Sequence, residues 1–349
     1  MGLIRILLLA DTHLGFDLAF HPRVERRRRG PEFFANFKRA LRPALEGRVD
    51  CVVHGGDLLF RSKVPAKLVG MAFEPLKQVA DCGIPVYLVP GNHERSAIPH
   101  RHLGDHPHIH IFDGPRTFRL QKDQYTLALA GFPFVRHNVR QKFLQLIDQT
   151  GFPGPDADLH LLCVHQAVAG ATVGPVGYQF RPAPDVIEPF EIPADFSAVL
   201  AGHIHRHQVL AANRQANGPA VPVFYPGSID RTSFAEKNEN KGFLILDFDL
   251  KAKQGNRLRQ WRFHMLPVRP MIQFDLHAYR MNNRQLRSWI ATRLSALPED
   301  SILKLKIHGR VSQDAMKVLN AAALRAQAAP SMNIDAVFVE ARRSHRFNR

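Results

Sequence analysis

The stretch "VLAGHIHRHQV" (199–209) places three histidines two apart, His203, His205 and His207, directly behind a short apolar run closed by glycine. In an extended chain residues two apart share a face. The equal spacing leaves open three metal ligands, two ligands and a bystander, or a solvated histidine-rich loop. The apolar run is one of several: "IRILLLAD", "VDCVVHGGD", "IPVYLVPGNH", "YTLALAGF", "LHLLCVHQ", "FSAVLAGH" and "VPVFYPGS" all end in polar or glycine-rich residues. Their shortness, β-branched content and glycine exits read as strands buried on both faces.

Helices fall between several of these runs. "PEFFANFKRALRPALE" (31–46) has apolar residues at helical spacing, and "AKLVGMAFEPLKQVADCG" (66–83) ends on a C-cap glycine, Gly83. Pro75 should kink or split the second helix. A third helix is read over 139–151. Alternating strands and helices define an α/β layered fold. The sheets should be mixed, because some strands follow one another without room for a crossover helix. Around "HMLPVRPMIQF" the pattern changes, and Pro267 and Pro270 mark a linker. Beyond it we read strand 271–276, helix 283–296, strand 301–308, helix 313–327 and strand 333–340, a compact βαβαβ unit. The chain thus divides into domains of 1–265 and 266–349, in line with a prior of roughly 100 to 200 residues per domain.

Composition narrows the class. With 47 Lys plus Arg against 31 Asp plus Glu, the net charge is +16, which favours an anionic partner such as nucleic acid. Cys51, Cys82 and Cys163 lack C-x-x-C spacing, which argues for a reducing compartment and against a disulfide scaffold or zinc ribbon. "MGLIRILLLADTH" meets Asp11 too soon for a signal peptide, and no run approaches the roughly 18 apolar residues of a membrane span. The expectation is a soluble cytoplasmic protein, nucleoid-associated in a bacterium, without a membrane partner.

The strand exits carry the chemistry. They hold Asp11-Thr12-His13, Gly56-Asp57, Gly91-Asn92-His93, His165 and Gly202-His203-Ile204-His205. Open α/β sheets place their sites at the carboxyl ends of strands, so these segments deliver Asp, His, Asp, Asn, His, His and His, with one more His directly after the Asn, to one region. Oxygen and imidazole donors without thiolate suit Mn²⁺, Fe²⁺, Zn²⁺ or similar ions. The set is too large for one ion and right for two, if one carboxylate bridges. Two ions about 3.5 to 4 Å apart lower the pKa of a bridging water and grip a phosphate from both sides.

The ordered motifs resemble those of the calcineurin-like metallophosphoesterases, D-x-H, G-D, G-N-H-[DE], H and G-H-x-H. Within them "DTHLG", "GHIH" and "HQ" at 165–166 are similar to the SbcD-type DNA double-strand-break repair nucleases. The best discriminator is "YPGSIDRTSFAEKNENKGFLILD" (225–247), similar to that branch's P-G-S…R-T-S-F…E…K-G segment. The resemblance implies a four-layer sandwich of mixed sheets flanked by helices, followed by a small C-terminal α/β DNA-capping domain. It implies a two-metal-dependent DNA phosphodiesterase of DNA repair, an exonuclease, a single-strand endonuclease or both. A hydroxide shared by two divalent ions, Mn²⁺ first and Mg²⁺, Fe²⁺ or Zn²⁺ as alternatives, would attack phosphorus in line.

By the same resemblance Asp11, His13 and His205 hold one ion, Asp57 bridges, and Asn92, His165 and His203 complete the second. His93 would serve the phosphate or the leaving oxygen rather than a metal. DNA is the implied partner, with an SMC-like coiled-coil ATPase subunit and a homodimer beside it; no ATPase-binding segment is identifiable. At the position three after Asp57, where many relatives carry His or Asp linked to exonuclease action, this chain has Phe60, with Arg61 next. The rival readings are a phosphoesterase for nucleotides, cyclic nucleotides or phosphoproteins, and a non-catalytic scaffold for DNA or a protein partner.

Other features read more plainly. The tract "PHRHLGDHPHIH" (99–110) is broken by prolines and reads as a loop and strand entry. His54 reads as a packed core residue. The basic run Arg26, Arg27, Arg28 and Arg29, together with Arg231, reads as contacts to DNA phosphates.

Overall fold

The computed structural model describes residues 2–18, 27–94, 106–152, 154, 157–210, 221–253, 255–309 and 311–339. They fall into two compact units, one within 1–19 and 29–267, the other within 20–28 and 268–349.

The larger unit is built on two six-stranded mixed sheets. The first runs β14 (Leu258–Met265), β13 (Gly242–Asp249), β1 (Leu3–Leu9), β2 (Cys51–His54), β3 (Val86–Leu88), β4 (Ile109–Ile111). The second runs β11 (Gln208–Leu210), β12 (Val223–Tyr225), β10 (Ala198–Gly202), β7 (Leu159–His165), β6 (Tyr125–Gly131), β5 (Arg116–Lys122). Strands β1 to β4 are parallel to one another, as are β6, β7, β10 and β12, while β13, β14, β5 and β11 pair antiparallel at the margins. A two-stranded hairpin, β8 (Thr172–Val173) and β9 (Tyr178–Gln179), completes the unit's strands among the described residues.

Side-chain alternation explains the layers. Along β1, Ile4, Ile6 and Leu8 point into a core shared with Leu129, Leu161 and Leu200 of the second sheet. Leu7 and Leu9 point the other way, onto α1 (Gly30–Leu45) and α2 (Ala66–Asp81), where Phe33, Phe37, Leu41, Phe73 and Leu76 cover them. On the far side α3 (Val139–Gln149) lays Phe143 and Ile147 against Leu162, Val164 and Val199. The order is therefore helix, sheet, sheet, helix, the four-layer sandwich. Each of these large side chains contributes roughly 1.5–3 kcal/mol by leaving water.

Helix α2 runs unbroken through Pro75, contrary to the expected kink or split. Pro75 and its neighbours Phe73 and Leu76 are buried, and that packing outweighs the single missing N–H. The helix ends as read: Gly83 takes φ +77° and donates to Ala80 O at 2.8 Å.

The smaller unit carries a parallel sheet β15 (Met271–Leu276), β16 (Ile302–His308), β17 (Asn333–Val339) with α4 (Asn283–Ser295), α5 (Gln313–Leu319) and α6 (Ala321–Gln327). Asn282 and Gln285 cap α4 reciprocally. The helix read over 313–327 is two helices. Asn320 leaves the helical region at ψ 156°, and its side chain accepts the N–H of Ala323 at 2.9 Å, capping α6.

Candidate metal centre

The carboxyl ends of β1, β2, β3, β7 and β10 deliver their side chains to one place. Asp11, His13, Asp57 and His203 all adopt positive φ, 51°, 44°, 53° and 87°. That conformation costs a non-glycine residue roughly 1–2 kcal/mol, and such strain collects at functional sites. A short ladder between the exits of β1 and β2 holds it: Asp11 N donates to Gly56 O at 2.9 Å, and His13 N to Asp57 O at 3.0 Å. Gly91 is required beside them, because a Cβ there would run into the carboxylate and backbone nitrogen of Asp57.

The donor atoms converge. His13 Nε2 lies 2.9 Å from His205 Nε2, which is 3.9 Å from Asp11 Oδ1. Asn92 Oδ1 sits 3.0 Å from His165 Nε2 and 2.9 Å from His203 Nδ1. Asp57 Oδ2 stands 3.5 Å from His165 Nε2 and 3.7 Å from His93 Nε2. The ligand atoms of Asp11, His13 and His205 lie within 4.8 Å of one another, as do those of Asp11, Asp57 and His165, and those of His13, Asp57 and His93. The last group admits His93 to a ligand set, a place the sequence reading withheld from it.

Ring orientations are fixed from behind. His165 Nδ1 donates to Gly55 O at 2.7 Å, and His93 Nδ1 to Phe60 O at 2.7 Å, so each turns Nε2 inward. His205 Nδ1 faces Glu236 Oε1 at 3.3 Å. His13 Nδ1 is buried with no hydrogen-bond partner among the described residues. Two imidazole nitrogens at hydrogen-bond distance and buried carboxylates beside them describe a cage of oxygen and nitrogen donors that fits divalent cations.

The electrostatics agree. Burial alone would raise the Asp57 carboxyl, but His165, His13 and His93 outweigh it and hold it well below the usual carboxylate range. Burial opposes charge on His165, yet Asp57 and Asp11 carry it up to about 9. Burial, reinforced by His165, takes His203 down to about 3, and burial with His205 pushes His13 well below the ordinary imidazole value. Burial and the neighbouring Asp57 raise Glu94 to about 8. Glu94 accepts from Leu59 N at 2.6 Å and Gly91 N at 2.8 Å, tying the Asp57 loop to the Asn92 loop.

All eight residues read as ligands or catalyst thus stand together, and their supports are what the sequence reading missed. His54 is buried as expected, but with a specific task. Gly56 N donates to its Nδ1 at 3.2 Å, its Nε2 meets Thr12 Oγ1 at 3.1 Å, and that hydroxyl donates to Leu58 O at 3.0 Å. His207 turns away from the cage. Its ring stacks on Phe263 at 4.0 Å and its Nδ1 meets Tyr225 O at 3.0 Å. Phe60 packs its ring 5.8 Å from that of His93 and 6.0 Å from that of His13, with Arg61 over its outer face. His106 pairs with Asp81, and His110 stacks on Tyr87; His100 and His102 lie outside the described residues.

Among the basic residues, Arg29 is buried, 3.0 Å from Asp230 Oδ1 and 2.6 Å from Arg231 O, so the structure spends it internally. Arg231 donates to Glu239 O at 3.1 and 3.0 Å. Arg27 is exposed and Arg28 half-buried. Arg26 lies outside the described residues.

The fold and this cage define a metallophosphoesterase. Residues 4–207 match the calcineurin-like phosphoesterase family, and the chain belongs to it. It is similar to the "DNA double-strand break repair protein Mre11" of Methanocaldococcus jannaschii, 25% identical over 251 residues, covering 69% of this chain and 61% of that protein. The protein of the same name from Aeropyrum pernix is 26% identical over 330 residues, 89% of this chain and 73% of its own length. The match to the first of these spans about three fifths of its length. A dimetal phosphatase from Danio rerio aligns with TM-score 0.45 and 12% identity over 70% of this chain and 92% of that one. Among the described residues no helix is long and apolar enough to cross a membrane.

Proposed function

We propose that this chain is a two-metal-dependent DNA phosphodiesterase of DNA repair, acting as an exonuclease, a single-strand endonuclease or both. The observation that supports it most is the sharing of Asp11 and Asp57 between groups of ligand atoms less than 4.8 Å apart. Asp11, His13 and His205 would hold one divalent ion, and Asn92, His165 and His203 the other, with Asp57 between them. Mn²⁺ is the ion we propose. A bound pair supplies Lewis-acid chemistry, acidifying water and neutralising phosphoryl oxygens.

The chain's own groups do the rest. Asp57, kept ionised by the imidazoles around it, holds negative charge between the two halves of the cage. His93 is the most exposed of the Asp57 partners, its side chain 34% accessible against 0% for His165. With Nδ1 held on Phe60 O, its Nε2 turns inward to 3.7 Å from Asp57 Oδ2, and from there this partly exposed ring, once doubly protonated, can give a proton to a leaving oxygen. Arg27 and Arg28 are proposed to meet DNA phosphates. The second unit is proposed as a DNA-capping domain, with an SMC-like coiled-coil ATPase subunit and a second copy of this chain as further partners.

The test is a panel of plasmid, oligonucleotide and chromogenic phosphodiester substrates with Mn²⁺. Cleavage of the DNA substrates is expected. Turnover confined to small phosphoesters would refute the substrate class.

A further inference from the structure

The "RTSFAEKNENK" stretch (231–241) is not explained by the ligand set, yet its side chains close around one ligand. We infer that Glu236 is a positioning residue for the His205 side of the metal centre. Its carboxylate fixes His205 with the proton on Nδ1, so that Nε2 offers its lone pair to the ion shared with Asp11 and His13, and Lys241 holds that carboxylate in place. The inference rests on the two-metal reading above.

Four observations carry it. Glu236 Oε1 lies 3.3 Å from His205 Nδ1 and accepts the hydroxyls of Thr232 at 2.7 Å and Ser233 at 3.2 Å. Its other oxygen lies 2.6 Å from Lys241 Nζ, whose side chain is fully buried. Lys241 Nζ also donates to His205 O at 2.8 Å, so one ammonium grips both the carboxylate and the main chain of the ligand it serves. Gly227 and Ser228 bring this strand exit against the same loop: Ser228 N donates to His205 O at 3.1 Å, and a Cβ on Gly227 would collide with it.

The support is unequal across the cage. Among the described residues, His165 has only the main-chain carbonyl of Gly55 behind its Nδ1, and His13 has no partner there. A carboxylate behind an imidazole raises its strength as a ligand and sets its tautomer. Glu236 therefore acts on one ion position, not on both. Lys241 Nζ also lies 3.0 Å from Glu239 Oε2, so without Glu236 the ammonium keeps one carboxylate partner, whereas without Lys241 the Glu236 carboxylate loses its buried cation. The R-T-S-F…E…K pattern is thus one device: two hydroxyls and an ammonium hold a carboxylate at the back of His205.

The test uses the full chain stripped with chelator and titrated with Mn²⁺, followed by electron paramagnetic resonance and by thermal melting of the metal-free protein. The variants are Glu236→Gln and the double variant Glu236→Gln/Lys241→Met, which removes the Glu236–Lys241 pair together while Glu239 keeps Arg206 at 3.1 Å. Wild type is expected to bind two ions and give the spectrum of an exchange-coupled pair. Each variant is expected to keep one ion near wild-type affinity and to lose about tenfold to a hundredfold at the other, leaving the spectrum of an isolated ion at stoichiometric Mn²⁺. Variants that bind both ions as wild type does would overturn the assignment while leaving the two-metal reading standing. Equal weakening at both positions, or collapse of both variants, would make Glu236 a merely structural residue and overturn it too. A wild-type protein that takes up no Mn²⁺ would refute the two-metal reading itself, and the positioning role with it.

Discussion

Replacing His54 with Gln should flatten the acid limb of the stability curve. His54 is buried, and burial lowers its pKa from 6.5 to about 3. Its Nδ1 accepts from Gly56 N, so a second proton has no place without breaking that bond. In the unfolded chain the same imidazole binds a proton below its ordinary value of about 6.5. Between the two values the unfolded state carries the extra proton, so stability rises with pH across this window and falls as acid is added. The ceiling is about 5 kcal/mol, and about 3 kcal/mol should be gone on going from about pH 7 to about pH 4.5. Urea unfolding of the chelated chain at both pH values measures this. The variant should be about 1–3 kcal/mol less stable near pH 7, from the lost hydrogen bonds, but its further loss in acid should be smaller than that of wild type by about 3 kcal/mol. Equal acid losses in the two proteins would refute the reasoning and place His54 in contact with water in the native state.

Three further outcomes test the site. Asp57→Ala should abolish Mn²⁺-dependent cleavage and lower the number of Mn²⁺ ions bound per chain, while circular dichroism stays that of the wild type; an active variant would remove Asp57 from the centre. His93→Gln should keep the Mn²⁺ stoichiometry, measured by equilibrium dialysis, and reduce kcat by about a hundredfold to ten-thousandfold; loss of an ion instead would make it a ligand. Replacing Arg27 and Arg28 with Ala should reduce the slope of log affinity against log salt by about 0.9 per duplex-phosphate contact removed; an unchanged slope would take both off the DNA surface.

The residues read as ligands were legible because each follows an apolar run, and a parallel sheet carries such exits to one edge. Asp11, Asp57, Asn92, His165, His203 and His205 stand together for that reason. The spacing of "HIHRH" could not separate His207 from its neighbours. Its stacking on Phe263 depends on the pairing of β13 with β14, which no local pattern announces. The supports were hidden for a related reason. Glu236 closes a single 3-10 turn and Lys241 follows it just before β13, a stretch without periodicity, 31 and 36 residues from the histidine they face. The Thr12–His54 link spans 42 residues and reads as ordinary core. Phe60 looked like a lost polar side chain, whereas its main-chain oxygen is what orients His93. In the smaller unit the break at Asn320 was readable, since an asparagine ahead of "AAALRAQ" is a helix cap, but unbroken helical spacing around it concealed the stop.

The most direct measurement is digestion of end-labelled single- and double-stranded DNA by the purified chain with Mn²⁺, with and without blocks at the 5′ and 3′ ends. Metal-dependent cleavage that disappears on chelation and in Asp57→Ala is the predicted result, and the effect of the blocks fixes the direction of cutting or assigns it to internal sites. No cleavage of either DNA form with Mn²⁺, Mg²⁺, Fe²⁺ or Zn²⁺, from a folded chain, would contradict the account.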